Sequence, residues 1–131
     1  MADLEFISPN DGSVLSLTVT RRFEGETDFE VAVKTPWFSG VAPSSTYMCG
    51  SPAIMFGEMA RAWNGWKGQK RWSDLEGRVE FLAVSDSTGH VSLSVKLVGQ
   101  DYDANLLVVL KYDAGQLEGM AKAISQLLSA K

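Results

Sequence analysis

The sequence is poor in the side chains that most often carry chemistry, with one cysteine (Cys49) and one histidine (His90) among 131 residues. A single cysteine excludes a disulfide framework within the chain and fits a reducing compartment. A zinc site would need carboxylates for most of its ligands, which is unusual. A nucleophilic serine or cysteine needs a neighbouring base, and we expect His90, beside a predicted turn, to bond a loop carbonyl or carboxylate. The residues therefore predict a protein that is not an enzyme and has no metal and no cofactor.

Long apolar segments and glycine-rich motifs are also missing. No stretch approaches the roughly 20 apolar residues that a membrane helix requires, and the N-terminus carries acids where a secretory signal needs basic residues. Neither a phosphate-binding glycine loop nor a Gly-x-Ser-x-Gly elbow is present. These absences predict a cytoplasmic protein without a membrane segment, and the length predicts one domain over residues 1–131.

The sequence is rich in segments where apolar and polar residues alternate, a pattern typical of half-buried strands. Alternation is clearest from residue 79 to residue 97, where the turn-forming residues 85–89 separate two halves and predict a β-hairpin. Similar patterns predict strands at residues 4–7, 13–20 and 29–34. Residues 106–112 are apolar on both faces, which indicates a strand buried on both sides. Together these segments predict six strands, and the short loops between the first three favour antiparallel pairing.

The first of two helical segments follows a long irregular stretch. Residues 36–52 have no regular period, so they predict a crossing loop that can include one short strand. We expect this loop to be held against the core by its larger apolar residues, which are Trp37, Phe38, Val41 and Tyr47. Ser51 and Pro52 then form an N-cap followed by proline at the first helical position. The helical period continues through Trp63 and Trp66, which predicts a helix that ends near Gly65 or one turn later.

The second helical segment begins at a capping box formed by Asp113 and Gln116. We expect its apolar stripe to be buried against the sheet; the stripe consists of Leu117, Met120, Ala121, Ile124, Leu127 and Leu128. The order of strands and helices predicts an α+β fold in which two helices pack on an antiparallel sheet of about six strands.

Acidic residues are concentrated near one predicted turn. The chain has a net charge of −4, which argues against general affinity for nucleic acid. The acidic cluster consists of four residues, Glu24, Glu26, Asp28 and Glu30. Such a cluster is either a solvated turn or a docking surface for a basic partner.

A basic, tryptophan-rich segment occupies residues 61–72. It contains three tryptophans and four basic residues and has no acid. Aromatic rings interleaved with cations can stack on single-stranded nucleic acid. We favour the interpretation that Trp63 and Trp72 are core residues and that the lysines line a loop. The candidate ligand-binding residues of the segment are Trp66, Lys67, Lys70, Arg71 and Trp72.

Three motifs follow one another in the second half of the chain. They are Trp66-Lys-Gly68, Trp72-Ser-Asp-Leu-Glu-Gly77 and Gly89-His-Val91. In this order the sequence resembles an uncharacterised family of small bacterial domains and, more loosely, immunity proteins that neutralise polymorphic or cell-wall-associated toxins. The resemblance covers about residues 60–125. It implies no catalytic residue, and the tryptophan, glycine and histidine positions of the motifs look architectural.

The leading hypothesis is a non-enzymatic protein-binding domain, an immunity-type inhibitor of a bacterial toxin. The acidic cluster would then attract a basic protein toxin. The alternative is a nucleic-acid or small-ligand binding domain that uses the basic segment, although the net charge makes nucleic acid an unexpected partner. An enzyme that pairs Cys49 with His90 is the third hypothesis. The sequence indicates neither the toxin nor the oligomeric state.

Overall fold

Two four-stranded antiparallel sheets and two helices make up the fold. The computed structural model describes residues 2–129. The N-terminal sheet has the order β1 (Leu4–Ile7), β2 (Val14–Phe23), β3 (Glu26–Lys34) and β4 (Ser39–Ser45). The C-terminal sheet has the order β5 (Lys70–Ser73), β6 (Val79–Ser85), β7 (His90–Val98) and β8 (Asn105–Asp113). Helix α1 (Ala53–Arg61) connects the sheets, and α2 (Ala114–Leu127) follows β8. Within the described residues no helix is long and apolar enough to span a membrane.

The predicted α+β class, the two helices and the antiparallel pairing are confirmed, but the single sheet of about six strands is wrong. The two strands without a clear signal are β4 and β5. Pro43 interrupts the pattern of β4, yet β4 is an edge strand, where proline is tolerated because no ladder bond needs its nitrogen. Strand β5 is four residues long and begins with Lys70 and Arg71, so it has too few residues to show a period.

Residues 36–52 contain the one short strand that the prediction allowed, β4, but their first part is a hairpin turn and not a crossing loop. Residues 35–38 form the β3–β4 turn, in which the Thr35 N–H donates to the Phe38 carbonyl at 2.8 Å. The apolar residues that we expected to face the core are instead exposed. Along β4 it is Ala42 and Ser44 that face inward and are buried. Alternation therefore directs Val41 to solvent on the outer face.

The inner faces of both sheets and both helices form one core. Phe56 of α1 lies between the sheets, with its ring centroid 6.1 Å from Phe6 of β1 and 5.8 Å from Phe81 of β6. Trp72 of β5 makes a second bridge, 6.3 Å from Phe29 of β3 and 5.7 Å from Phe81. These aromatic contacts join the two sheets, so the chain has one hydrophobic cluster and not two.

Helix α2 confirms the predicted capping box and the predicted stripe. The Asp113 N–H donates to Gln116 Oε1 at 2.9 Å in that capping box. Leu117, Ile124 and Leu128 are buried. The helix packs chiefly against α1 and less extensively against strands β1 and β8. The expectation that it faces the sheet is therefore only partly correct.

Helix α1 is shorter than the sequence period indicates. It begins at Ala53, so Pro52 and not Ser51 occupies the N-cap position, although Ser51 Oγ accepts a hydrogen bond from the Ala53 N–H at 3.1 Å. The helix ends at Arg61, before Trp63 and Trp66. Trp63 is exposed, which contradicts its interpretation as a core residue, whereas Trp72 is buried as expected. The apolar period continues past the helix because Trp66 packs against the core from the following loop.

Strand β8 occupies an edge of the C-terminal sheet and is not buried on both sides as predicted. Among the strands of residues 2–129 only β7 pairs with it. Its inner face contributes Leu110 and Tyr112 to the core, while Leu107 and Val109 on the outer face are exposed. The apolar residues on both faces of β8 therefore do not indicate a central position.

Candidate functional site

A concave pocket of about 560 Å³ lies where β3, β4 and the β5–β6 turn meet. Its polar and apolar walls come from segments far apart in the sequence. We call it the acidic pocket and define it by the lining residues Glu26, Asp28, Tyr47, Asp74, Leu75, Glu76 and Arg78. Ligand-binding pockets typically have volumes of about 300–1,000 Å³, so this pocket is large enough for a partner's side chain or a small molecule.

Strand alternation places two acids of the predicted cluster in the pocket. Thr27 and Phe29 of β3 face the core and are buried. Glu26 and Asp28 therefore point to the outer face, where they line the pocket. Asp28 pairs with Ser45 of β4 across the ladder. The position of both carboxylates is thus fixed by the sheet and does not depend on a loop.

The opposite wall is held in place by the buried carboxylate of Asp74. Ser44 Oγ of β4 donates a hydrogen bond to Asp74 Oδ2 at 2.6 Å. The Arg78 N–H donates to Asp74 Oδ1 at 2.8 Å, which closes the β5–β6 turn. At the tip of that turn Gly77 has a φ of 72°, a backbone conformation that favours glycine. These bonds fix Leu75 and Glu76 beside the end of β4.

The pocket has an excess of negative charge. Four carboxylates line it, against the single guanidinium of Arg78. That guanidinium already donates to the Gly99 carbonyl at 2.6 Å and lies 4.4 Å above the ring of Tyr102. Within residues 2–129 neither Glu26 nor Asp28 forms a salt bridge. The two β3 carboxylates therefore remain available for a positively charged group from outside.

Exposed apolar side chains stand beside these acids. Tyr47 and Leu75, both more than half exposed, line the pocket, and exposed Met48 follows Tyr47 in the chain. Tyrosine and methionine are enriched in protein interfaces. Apolar walls with carboxylates fit the stem and the charged end of a lysine or arginine side chain. The arrangement suits recognition of a basic surface.

The other two acids of the predicted cluster lie outside the pocket. Glu24 is exposed in the β2–β3 turn with a φ of 44°. Glu30 is exposed on the outer face of β3, opposite Pro43 of β4. Sequence reasoning missed the opposite wall, Leu75 and Glu76, because nothing in the local pattern relates those residues to β3. Their position depends on the Ser44–Asp74 hydrogen bond, which spans 30 residues.

The basic, tryptophan-rich segment does not form one surface platform. Its candidate residues are Trp66, Lys67, Lys70, Arg71 and Trp72. Lys67 is exposed, and Lys70 Nζ lies 5.4 Å from the centre of the half-buried Trp66 ring. Arg71 points outward and pairs with Glu80 at 2.6 Å. Trp72 points into the core, and its Nε1 donates to the Gly50 carbonyl at 3.1 Å. Alternation along β5 therefore separates Arg71 from Trp72.

His90 takes part in the turn that precedes β7, as expected from its position. Its Nδ1 lies 2.8 Å from Thr88 Oγ1 and 3.3 Å from Asp86 Oδ2. The backbone N–H of His90 donates to Asp86 Oδ1. This bond, together with hydrogen bonds that Thr88 donates to the same carboxylate, holds the pKa of the Asp86 carboxyl far below its usual range. The histidine thus contacts a loop carboxylate in an exposed turn.

Cys49 lies in the segment between β4 and α1. Its Sγ donates to the Ser45 carbonyl at 3.3 Å. Burial raises the pKa of the Cys49 thiol, whereas a nucleophilic cysteine needs a lowered pKa. In the part of the chain that the structure describes, no three histidine, cysteine or acidic side chains cluster as metal ligands would.

A comparison with protein-family models gives one finding. A family model described as a "Family of unknown function (DUF6228)" matches residues 7–131. The search of the curated proteins and the search of the solved structures each find no match. The family description specifies no activity, so the function has to be inferred from the pocket and its surroundings.

Proposed function

The chain belongs to the family of unknown function DUF6228, and we propose that it is a non-enzymatic protein-binding domain, an immunity-type inhibitor that captures a basic bacterial toxin. The acidic pocket is the binding site in this proposal. The observation that carries it is that Glu26 and Asp28, which are fixed on β3 and form no salt bridge with any residue in 2–129, share a concave surface with the exposed side chains of Tyr47 and Leu75.

Electrostatics support a basic partner. Net charge is −4 for the whole chain, and the pocket concentrates four acids against one engaged arginine. Negative charge in a concave site attracts cations and speeds association. Opposite charges steer encounter, and salt weakens that attraction over a Debye length of about 8–10 Å. Binding should therefore be fast at low salt and slower at high salt.

Apolar contacts around the acids would supply the affinity. Interface hot spots are enriched in tyrosine, tryptophan and arginine and lie in desolvated pockets. Tyr47 and Leu75 would cover the aliphatic stem of a lysine or arginine from the partner, and Glu26 and Asp28 would pair with its charged end. Unpaired surface charges mainly raise the association rate, whereas apolar contacts combined with paired charges lower the dissociation rate.

The first step of the test is to identify the partner. The tagged chain serves as bait in a lysate of its native cell, beside the variant Glu26→Lys/Asp28→Lys. A matched control, Glu58→Lys/Glu118→Lys, changes the net charge by the same amount at two exposed acids outside the pocket. We expect a basic protein to be captured by the wild type and the control but not by the pocket variant.

The second step measures rates with the purified partner at low and high salt. The pocket variant should bind at least about tenfold more weakly, which corresponds to about 1.4 kcal/mol. Its association should be slower at low salt and depend less on salt. Circular dichroism should show a normal fold, because surface substitutions usually change stability by less than about 0.5 kcal/mol.

Equal binding by the pocket variant and the control would overturn the proposal. In that event a loss of partner binding by the variant Lys67→Glu/Lys70→Glu would indicate that the basic, tryptophan-rich segment is the binding site. Binding of single-stranded nucleic acid to the wild type and to this variant would then be measured as well.

A further inference from the structure

Strand β8 has one side without a strand partner. The Gly99 N–H donates to the Ala104 carbonyl, so the Ala104 carbonyl faces β7. Ser8 Oγ donates to the Lys111 carbonyl at 2.7 Å, so the Lys111 carbonyl faces away from β7. Backbone groups alternate in direction along a strand. The N–H and C=O groups of Leu107 and Val109 therefore also point away from β7, and no hydrogen bond from elsewhere in residues 2–129 reaches them.

The free segment carries none of the features that normally protect an edge. Natural edge strands avoid pairing with other chains through proline, charged side chains or short length. The other three edges in this fold follow that rule: β1 carries Glu5, β4 carries Pro43 and β5 carries Arg71. Residues 105–110 of β8 contain neither a charge nor a proline. Leu107 and Val109 are 64% and 50% exposed on the outer face.

From this edge we propose that two copies of the chain pair through β8 in antiparallel orientation, forming one continuous eight-stranded sheet. The free backbone groups require a β-strand as the occupant. We infer that this strand is β8 of a second copy, because the side chains of β8 are complementary to themselves in antiparallel pairing. In a symmetric dimer with its two-fold axis at Val108, each residue i lies opposite residue 216 − i of the other copy. Leu107 then lies opposite Val109, and Leu106 opposite Leu110. The pairing does not involve the acidic pocket, because no residue of β8 lines that pocket.

In this register all the pairs formed by residues 106–110 are apolar, and no pair from residue 105 to residue 111 juxtaposes like charges. Cross-strand apolar pairs stabilise a sheet, whereas like charges placed opposite each other destabilise it. Leu107 and Val109 from both copies would form a four-residue cluster on the outer face, which covers side chains that are exposed in the single chain. The Lys111 carbonyl, which is already bonded to Ser8, marks the end of the free segment. Asn105 meets Lys111 at each end.

Sedimentation velocity of the full chain over a wide concentration range tests the pairing. We expect a reversible dimer, and Val109→Lys should raise the dimer dissociation constant by at least about tenfold. The matched control is Val84→Lys, which introduces the same charge on the outer face of the same sheet but on the inner strand β6. It should leave the dimer intact. Thermal unfolding of both variants verifies that each is folded.

Hydrogen exchange provides a second readout that a merely unstable variant would not mimic. The amides of Leu107 and Val109 should become protected as concentration rises, whereas the Val108 amide, which faces β7, should be protected at all concentrations. A monomer at every concentration would overturn the proposal, as would equal weakening of the dimer by Val84→Lys or unchanged exchange at Leu107 and Val109. A monomer whose two amides are protected only when another protein is added would assign this edge to a strand of that protein.

Discussion

Replacement of Phe56 by alanine tests whether the two sheets share one core. Its side chain is 1% exposed, and truncation of a buried phenylalanine typically costs about 3–5 kcal/mol. The ring also pairs with Phe6 at 6.1 Å and, edge to face, with Phe81 at 5.8 Å. Because each favourable aromatic pair adds about 0.5–1.5 kcal/mol, we expect a loss near the upper end, about 4–5 kcal/mol. Domains of this kind are stable by about 5–15 kcal/mol, so the variant should be marginally folded.

Urea unfolding followed by two probes measures this loss. Tryptophan fluorescence reports the surroundings of the four tryptophans, of which Trp72 is buried in the core. Far-ultraviolet circular dichroism reports both sheets and helices. The transitions should coincide in the wild type and in the variant, as two-state unfolding requires. The control is Ile54→Ala in the same helix, because Ile54 is 65% exposed and its loss should cost less than about 0.5 kcal/mol. A loss below about 2 kcal/mol for Phe56→Ala, or transitions that separate between the probes, would refute a shared core.

Two further changes test single buried polar groups by urea unfolding. The Thr27 hydroxyl is buried and has no hydrogen-bond partner among the described residues, so Thr27→Val should raise the free energy of unfolding by about 1 kcal/mol; a loss of stability would contradict this. Tyr112 donates to the Phe6 carbonyl at 3.0 Å, and burial raises the pKa of its hydroxyl. The unfolded chain therefore releases this proton near pH 10 while the folded chain retains it, so stability should fall as pH rises above about 10. Tyr112→Phe should lower stability by about 1–2 kcal/mol at neutral pH and remove that alkaline decline; an unchanged decline would show that another group causes it.

Local patterns were enough to predict most of the elements. The β6–β7 hairpin, the capping box of α2 and the burial of Leu117 and Ile124 all follow from spacing within a few residues. Alternation specifies which residues share a face, but it does not specify which strand lies beside which. The division into two sheets was therefore not predicted, because it depends on how residues 46–69, which include α1, separate β4 from β5.

Because local patterns do not specify which segments lie side by side, the complete acidic pocket and the edge position of β8 were not predicted either. Two acids of the pocket were identified from their clustering near a turn, but Leu75 and Glu76 reach them only through the Ser44–Asp74 hydrogen bond. For β8, apolar residues on both faces predicted burial between neighbours within the chain. The composition is apolar whether the neighbour is in the same chain or in another, so the sequence could not distinguish these cases.

Every strand pairing within the two sheets joins strands that are consecutive in the chain. Each sheet is therefore a meander in which hairpins close short loops, and short loops lose little entropy on closing. Hydrogen bonds that span most of the chain join its two ends: Tyr112 of β8 bonds Phe6 of β1 across 106 residues, and Arg22 of β2 bonds the Leu127 carbonyl of α2 across 105 residues. Folding rates fall as the average sequence separation of contacts rises. This topology therefore favours rapid formation of the separate hairpins, and we expect the slow step to be the docking of one finished meander against the other.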